Sequence, residues 1–431
     1  MKIAIIHHGC AKNLIDTELM AGKLIERGHE VTLDAYATDA DYIIVNTCSF
    51  IFDAEEESIS SIFDMIDTGK RVIITGCLPQ KHQKHLKKLI SEAWGFIGTA
   101  DIDKIADLIE ADKEFYYVSE KPLCKYPENI KRAQITVGSS SYIKIAEGCN
   151  YSCGYCVIPK LRGKYISRPI ENIVYEAKEL ANKGVNEIIL IAQDTSCYGM
   201  DLYKKPSLDK LLYELDKIKN IGWIRVLYTY PTNFTNGLIK AYKEIDRVVK
   251  YIDIPLQHSH PDILKAMRRP VVNGLEFINK LRDEINNLAI RTTLITGYPT
   301  EEEKHFEHLY NFVKEAEFDR LGVFEFSKEK GTYAYNLKPQ VPKKIKAKRK
   351  DLILKLQKEI SNKLNEKMIG KKIPSIIETI QSDGLAIART YKDAPDVDGL
   401  IFINTDKVLI PGDIYDVEVT SYSDYDLYGK I

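Results

Sequence analysis

Two successive runs of short apolar segments alternate with amphipathic stretches, and that alternation limits most of the chain to parallel sheets covered by helices. The first run holds Ile3 to Ile6, a helical Asn13 to Glu26, Val31 to Leu33, Tyr42 to Val45, a helix near Ala54 to Ile66, Val72 to Ile74 and a helix around Lys81 to Ile90. The second holds six apolar strands: Ser141 to Ala146, Glu187 to Ala192, Trp223 to Tyr228, Val249 to Pro255, Ala289 to Ile295 and Arg320 to Phe326. A chain of 431 residues is long enough for two or three cores.

The first run resembles a flavodoxin-like α/β domain, expected over 1–115. Residues 116–140 are polar and without clear period, and read as a linker. Six β/α units fall short of a closed eight-fold barrel and predict a partial (β/α)6 barrel whose strand C-termini form the active face. The lysine-laden stretch Pro342 to Met368 has leucines and isoleucines at helical spacing, so it should pack along that barrel, completing a region over 141–368. From 369 to 431, short strands lie between turn signals such as Gln381-Ser-Asp-Gly and Asp396-Val-Asp-Gly, which predicts a small antiparallel barrel of the oligonucleotide-binding type.

With 61 basic and 62 acidic residues, no global field advertises a nucleic-acid or membrane partner. The N-terminus lacks the regions of a signal peptide and no apolar stretch approaches a membrane span, so a soluble, cytoplasmic enzyme is expected. Eight cysteines in a reducing compartment point to metal ligands or core residues rather than disulfides.

Cys149, Cys153 and Cys156 form a C-x3-C-x2-C run in Gly148-Cys-Asn-Tyr-Ser-Cys-Gly-Tyr-Cys156, directly after the first strand of the second series. Soft thiolates select iron–sulfur clusters or zinc, and a compact triplet with no fourth cysteine nearby leaves one metal position open for chemistry. Zinc knuckles instead come as two C-x2-C pairs. The run resembles the radical S-adenosylmethionine (SAM) superfamily. That resemblance implies a [4Fe-4S] cluster whose open iron is chelated by SAM, with Tyr155 packed near the adenine.

Three further cysteines end strands of the first series: Cys10 in His8-Gly-Cys-Ala, Cys48 in Asn46-Thr-Cys-Ser and Cys77 in Thr75-Gly-Cys-Leu. A parallel sheet puts all strand C-termini on one edge, so these sequence-distant thiols should converge. They are the expected ligands of a second iron–sulfur cluster. Cys124 and Cys197 have no comparable spacing and are assigned to neither.

Two three-cysteine sets followed by a small C-terminal barrel resemble the methylthiotransferases over essentially the whole chain. The family places an N-terminal cluster domain before a radical-SAM barrel and a TRAM domain, and its members insert a methylthio group at an unactivated C–H bond. The acceptor is an adenosine in tRNA or the β-carbon of an aspartate in small-subunit ribosomal protein S-twelve. Gly9-Cys-Ala-Lys-Asn-Leu-Ile-Asp-Thr-Glu is similar to the ribosomal-protein branch pattern G-C-P-K-N-x-x-D-x-E, with Ala11 in place of proline, whereas the tRNA branch reads G-C-Q-M-N. Phe326-Ser-Lys-Glu-Lys-Gly-Thr-Tyr-Ala lacks the Arg-Pro pair of tRNA-modifying relatives. Thr390-Tyr-Lys-Asp-Ala-Pro-Asp-Val-Asp-Gly carries the Ala-Pro-x-x-Asp-Gly signature of the ribosomal-protein type. From Ile369 onward six basic residues face eleven acidic ones. That excess repels phosphate, arguing against tRNA binding and suiting a basic ribosomal protein.

The resemblance implies a division of labour. The Cys149–Cys153–Cys156 cluster, reduced by a flavodoxin- or ferredoxin-like protein, cleaves SAM to a 5′-deoxyadenosyl radical that abstracts hydrogen from the acceptor carbon. The Cys10–Cys48–Cys77 cluster holds the methylthio group that the carbon radical takes. Gln193 and Asp194 after the second barrel strand, and Gln257 and His258 after the fourth, are further candidates for SAM contact, as well as for loop capping and core hydrogen bonds. Gly297-Tyr-Pro-Thr-Glu301 resembles a Gly-Phe-Pro-Gly-Glu turn whose backbone meets adenine, but Thr300 replaces the second glycine, where a positive φ is not expected. The other seven histidines show no metal-ligand spacing that competes with the cysteines. A tRNA methylthiotransferase shares this chemistry; an iron–sulfur electron carrier or RNA-binding scaffold would release no 5′-deoxyadenosine.

Overall fold

The computed structural model describes all residues except 35, 37, 38, 124–131, 136–137 and 383. Cys124 and part of the 116–140 segment therefore lie outside the described residues.

The N-terminal sheet is built from β1 (Lys2–His7), β2 (Glu30–Thr32), β3 (Tyr42–Thr47), β4 (Arg71–Gly76), β5 (Gly95–Ile97) and β6 (Phe115–Tyr117). All pair in parallel in the order β2-β1-β3-β4-β5-β6, the flavodoxin-like order with one added edge strand. The helices are α1 (Ala11–Glu26), α2 (Phe52–Ile66), α3 (Cys77–His82), α4 (Lys84–Leu89) and α5 (Ile105–Glu110). They cover both faces, giving two apolar clusters: Ile43, Val45, Val72 and Ile74 pack toward Ile62 and Leu86, while Ile3, Ile5, Ile44 and Ile73 pack toward Met20, Leu24 and Ile109. Phe115–Tyr117 carries the sheet two residues past 115, into the segment expected to be linker.

The second unit opens with β7 (Ser140–Lys144), β8 (Ala146–Glu147), α6 (Ile158–Arg162) and β9 (Ile166–Ser167). There follow α7 (Ile170–Asn182), β10 (Glu187–Ile191), α8 (Leu208–Asp216), β11 (Trp223–Val226), α9 (Asn236–Glu244) and β12 (Tyr251–Asp253). It ends with α10 (Pro261–Ala266), α11 (Gly274–Glu284), β13 (Ala289–Thr296), α12 (Glu303–Ala316), β14 (Arg320–Glu325) and α13 (Lys343–Glu366). Six strands pair in parallel as β7-β10-β11 and β12-β13-β14, joined by the bridge Ile224 to Val248, and among the described residues no pairing of β7 with β14 closes the ring. On α13, Ile353, Leu356 and Ile360 join the barrel core, so its lysines are the solvated remainder of a packed helix.

The C-terminal strands β15 (Lys372–Ile380), β16 (Ala386–Thr390), β17 (Ile401–Ile403), β18 (Ile414–Tyr422) and β19 (Leu427–Lys430) close into a barrel in the order β15-β16-β17-β19-β18. It is antiparallel except for the parallel pair β17 and β19, a crossing that turn signals alone do not encode.

The open side of the partial barrel receives α1. Ile15 and Leu19 pack among Tyr142, Ile189 and Ile191 of the barrel interior and Ile376 and Ala394 of the small barrel, so one apolar cluster joins all three units. The small barrel caps the N-terminal ends of the strands. Arg389 bonds Glu187, Arg320 bonds Asp393, and Arg291 bonds Asp398 at 3.2 Å. Two of the acids in the C-terminal excess are therefore neutralised by barrel arginines.

Candidate active site

Cys10, Cys48 and Cys77 follow β1, β3 and β4, which are neighbours in the sheet. Adjacent strands lie about 4.8 Å apart, so the three strand ends fall within roughly 10 Å of one another. The approach is closer than that where Gly9 sits. With φ +95°, it is a residue whose absent Cβ would stand 2.8 Å from Cys48 Cβ. Asn13 knits the edge together, donating to His8 O at 3.1 Å and Thr47 O at 3.0 Å, with its Oδ1 3.8 Å from Cys77 Sγ. Arg162, at the end of α6, reaches across from the barrel to Cys77 Sγ at 3.6 Å and to Asp16 at 2.5 Å. Lys144 completes this buried network with 2.6 Å bonds to Asp16 and Glu147.

The charges separate the three thiols. Around Cys10 desolvation pushes the thiol up, but the Lys12 and Arg162 charges outweigh it and hold the group below its ordinary value. Burial dominates at Cys48, raised to about 11, and at Cys77, also raised.

Cys149, Cys153 and Cys156 lie on the loop between β8 and α6. Burial raises Cys149 to about 11 and Cys156 to about 12. The loop is pinned where Gly154 N donates to Met267 O at 2.8 Å and Gly154 O accepts from Ala334 N at 2.7 Å; a Cβ here would stand 2.6 Å from the Tyr298 hydroxyl. N–H groups address the sulfurs, with Ile158 N 3.4 Å from Cys156 Sγ and Arg269 Nη1 4.0 Å from Cys153 Sγ. Three soft donors per site, with amide and guanidinium N–H groups turned toward sulfur, fit iron–sulfur clusters, whose potentials such bonds tune.

The remaining candidates divide. Tyr155 packs beside Ile263, Met267, Ile295 and Tyr298, with its hydroxyl 3.3 Å from Arg269 Nη1, on the patch bordered by the Gly297 turn. Gln193 donates to Glu147, while its buried Oε1 finds no partner among the described residues and is available to a ligand. Asp194 is buried and saturated, accepting from Tyr151 at 3.0 Å, Ser196 at 2.6 Å, Asn233 at 3.1 Å and the Cys197 amide at 3.2 Å. Gln257 has φ +70° and pairs its backbone with Thr293 and Ile295. His258 is buried with Nδ1 accepting from His260 N at 2.9 Å and Nε2 3.5 Å from Glu301, so its ring serves the core. Gly297, at φ +71°, donates its N–H to both Glu301 oxygens at 3.0 Å. Thr300 adopts φ +74° despite its branched side chain, held by Thr300 N to Pro339 O at 3.1 Å; the positive φ that the missing glycine argued against is present.

Arg269 and Arg162 were not legible as site residues. Arg269 lies 116 positions from Cys153, and no spacing links them. Among the remaining histidines, His260 and His305 with Asp262 bring three ligand atoms within 4.8 Å. Both imidazoles already accept a backbone N–H at Nδ1, from Asp262 and Glu302, the reverse of the donation that orients a metal-bound histidine.

Known proteins carry the same three-part plan. Family models match the Radical SAM superfamily over residues 143–313, Uncharacterized protein family UPF0004 over 2–98 and the TRAM domain over 369–431. The chain is similar to the ribosomal protein uS12 methylthiotransferase RimO of Prochlorococcus marinus, 44% identical over 100% of this chain and 96% of the relative. It is 46% identical to that of Caldanaerobacter subterraneus over 99% of each chain. Among solved structures, the radical SAM methyltransferase TsrM of Kitasatospora setae superposes with a TM-score of 0.55 at 13% identity, covering 75% of this chain and 72% of its own. The cobalamin-dependent SAM radical enzyme OxsB gives 0.52 at 10% identity, over 84% and 56%. At such identities the two structures speak for the fold alone. The relatives, matched end to end at more than two-fifths identity, decide the family: this chain belongs to the ribosomal protein uS12 methylthiotransferases.

Proposed function

We infer that this protein is a radical SAM enzyme that transfers a methylthio group to ribosomal protein uS12, at the β-carbon of an aspartate. The observation that carries the reading is the placement of two three-thiol sets on facing elements, joined by the buried Arg162 between the Cys149–Cys156 loop and Cys77. Such an arrangement suits two [4Fe-4S] clusters, one ligated by Cys149, Cys153 and Cys156 and the other by Cys10, Cys48 and Cys77. When bound, the clusters and SAM supply radical generation and the sulfur to be transferred, chemistry that no side chain provides at an unactivated carbon.

The protein's own part is positional. Tyr155 and the Gly297–Tyr298 turn offer an apolar seat for an adenine, and Gln193 offers an unused Oε1 acceptor after β10. Arg269, held at 2.8 Å by Pro255 O, places a fixed positive charge beside Cys153. Packing of α1 against β7 sets the distance between the two sites.

An acidic small barrel supports a basic protein acceptor over tRNA, because Asp396, Asp406 and Asp416 remain exposed or half-exposed after Asp393 and Asp398 are spent on the partial barrel. Electrons would come from a flavodoxin- or ferredoxin-like protein. Among the described residues no helix is long and apolar enough to cross a membrane.

Mass spectrometry of uS12 incubated with the anaerobically reconstituted, reduced enzyme, SAM and a sulfur source, with tRNA in parallel, tests the reading. A methylthio increment on an aspartate of uS12 and none on tRNA is expected. An increment on tRNA alone would overturn the acceptor.

A further inference from the structure

One ammonium group beside the N-terminal cysteine set is bonded to no carboxylate among the described residues. Lys12 lies in the first turn of α1, two residues after Cys10, and is partly buried. Its Nζ stands 3.6 Å from the centroid of the Tyr228 ring. Among the described residues its side chain makes no hydrogen bond or ion pair. The cations nearest to it are committed: Lys144 to Asp16 and Glu147, Arg162 to Asp16, and Arg291 to Asp253 and Asp398. The Cys10 side chain offsets part of the Lys12 charge, yet the ammonium N–H groups meet no acceptor among the described residues and can receive one that arrives from outside.

The surface beneath it is held in place at a cost. Tyr228 follows β11 and has φ +60°, a left-handed conformation that a bulky residue adopts at roughly 1–3 kcal/mol. Three bonds hold it there: Tyr228 N donates to Asp253 Oδ2 at 3.0 Å, and Tyr228 O accepts from Thr195 N at 2.9 Å and Thr195 Oγ1 at 3.2 Å. The strained backbone presents the ring as a cation–π platform that fixes the ammonium while leaving its N–H groups unclaimed.

The inference that follows rests on the uS12 aspartate reading. The reacting β-carbon of an aspartate is bonded directly to the side-chain carboxylate, so that carboxylate must enter the same space, and it would lose its water there without a cation to receive it. We propose that Lys12 Nζ binds the side-chain carboxylate of the acceptor aspartate, over the Tyr228 ring, and thereby selects an acidic acceptor over a neutral one. A lysine that only offset thiolate charge at Cys10 would affect acidic and neutral acceptors alike.

The test compares the binding of uS12, and of uS12 with its target aspartate replaced by asparagine, to full-length reconstituted wild type, Lys12→Met and Lys12→Arg, by titration calorimetry. Wild type should prefer the aspartate form by about tenfold to a hundredfold, the range of a hydrogen bond to a charged group. Lys12→Met should bring the ratio close to one, and Lys12→Arg should keep most of it. An unchanged ratio in Lys12→Met, or no preference in wild type, overturns the proposal. Mass spectrometry on the same wild-type sample separates the two levels. If uS12 is methylthiolated while the Lys12→Met ratio is unchanged, this assignment alone fails; if uS12 gains no methylthio mass, the acceptor reading fails and takes the assignment with it.

Discussion

Cys149, Cys153 and Cys156 share one short loop, whereas Cys10, Cys48 and Cys77 arrive on three separate strands. The first set is organised locally: its spacing, the N–H of Ile158 on Cys156 and the tight seat of Gly154 belong to one stretch of chain and the residues it folds onto. The second exists only once the sheet has formed, because only the β1-β3-β4 order makes the three strand ends neighbours. The electrostatics differ as well. Burial leads the rise at Cys149 and Cys156, with their neighbouring thiols adding to it, while at Cys10 the charges of Lys12 and Arg162 prevail over burial. A loop-borne site should therefore tolerate changes in distant packing, and a sheet-borne site should register them.

The largest effects expected are those that divide the two sites outright. Cys153→Ala should abolish release of 5′-deoxyadenosine from SAM, whereas Cys48→Ala should still release it and yield no methylthiolated uS12; chromatographic quantification of both products checks this. Normal methylthiolation by either variant would remove the distinction.

Next in size is Gly154→Ala. The added methyl would stand 2.6 Å from the Tyr298 hydroxyl, with the backbone fixed on both sides by Met267 O and Ala334 N. The loop or the Tyr298 ring must shift, and iron content after reconstitution should fall toward half, the N-terminal set keeping its share.

A third change sharpens the comparison through packing. Arg389 bonds Glu187, Glu378 and Asp393 O from the small barrel. Arg389→Met leaves the buried Glu187 carboxylate short of charge and should cost about 3–5 kcal/mol in chemical denaturation. Substrate-free SAM cleavage in the surviving folded fraction should persist, since the cysteine loop lies at the other end of the strands.

The smallest effect is on acid stability. Burial pushes Glu187 up, but Arg389 and Arg225 outweigh it and hold the carboxyl at about 2, below the ordinary glutamate value. A carboxylate depressed on folding stabilises the native state fully above its unfolded pKa of about 4.3, and that contribution fades as pH falls toward the folded value. Roughly 2–3 kcal/mol should be lost between about pH 5 and pH 2, and Glu187→Gln should flatten that part of the curve.

What could be read from the sequence follows the same divide. The β/α alternation placed the N-terminal sheet and the six barrel strands because strand and helix periods are local properties, and Cys149, Cys153 and Cys156 were legible for the same reason. Cys10, Cys48 and Cys77 needed one topological step, that parallel strands share an edge. Phe115–Tyr117 escaped because three residues carry no period. Asp194 is legible only as a polar strand-end residue suited to SAM contact or to core hydrogen bonding, and Tyr151, Ser196 and Asn233 saturate it in the second way. Thr300 shows the limit of residue-type arguments: tertiary bonds hold it at φ +74° against its own preference. Arg162, Arg269 and the Lys12–Tyr228 pair could be found only in three dimensions, since each joins elements far apart in the chain.

Each thiol set is expected to hold its own cluster, and this can be examined in one variant. It is tested most directly by electron paramagnetic resonance of the reduced Cys149, Cys153 and Cys156 to alanine triple variant after anaerobic reconstitution. The signal of a reduced [4Fe-4S] cluster, unchanged by added SAM, is expected. A folded triple variant that retains no cluster would contradict it.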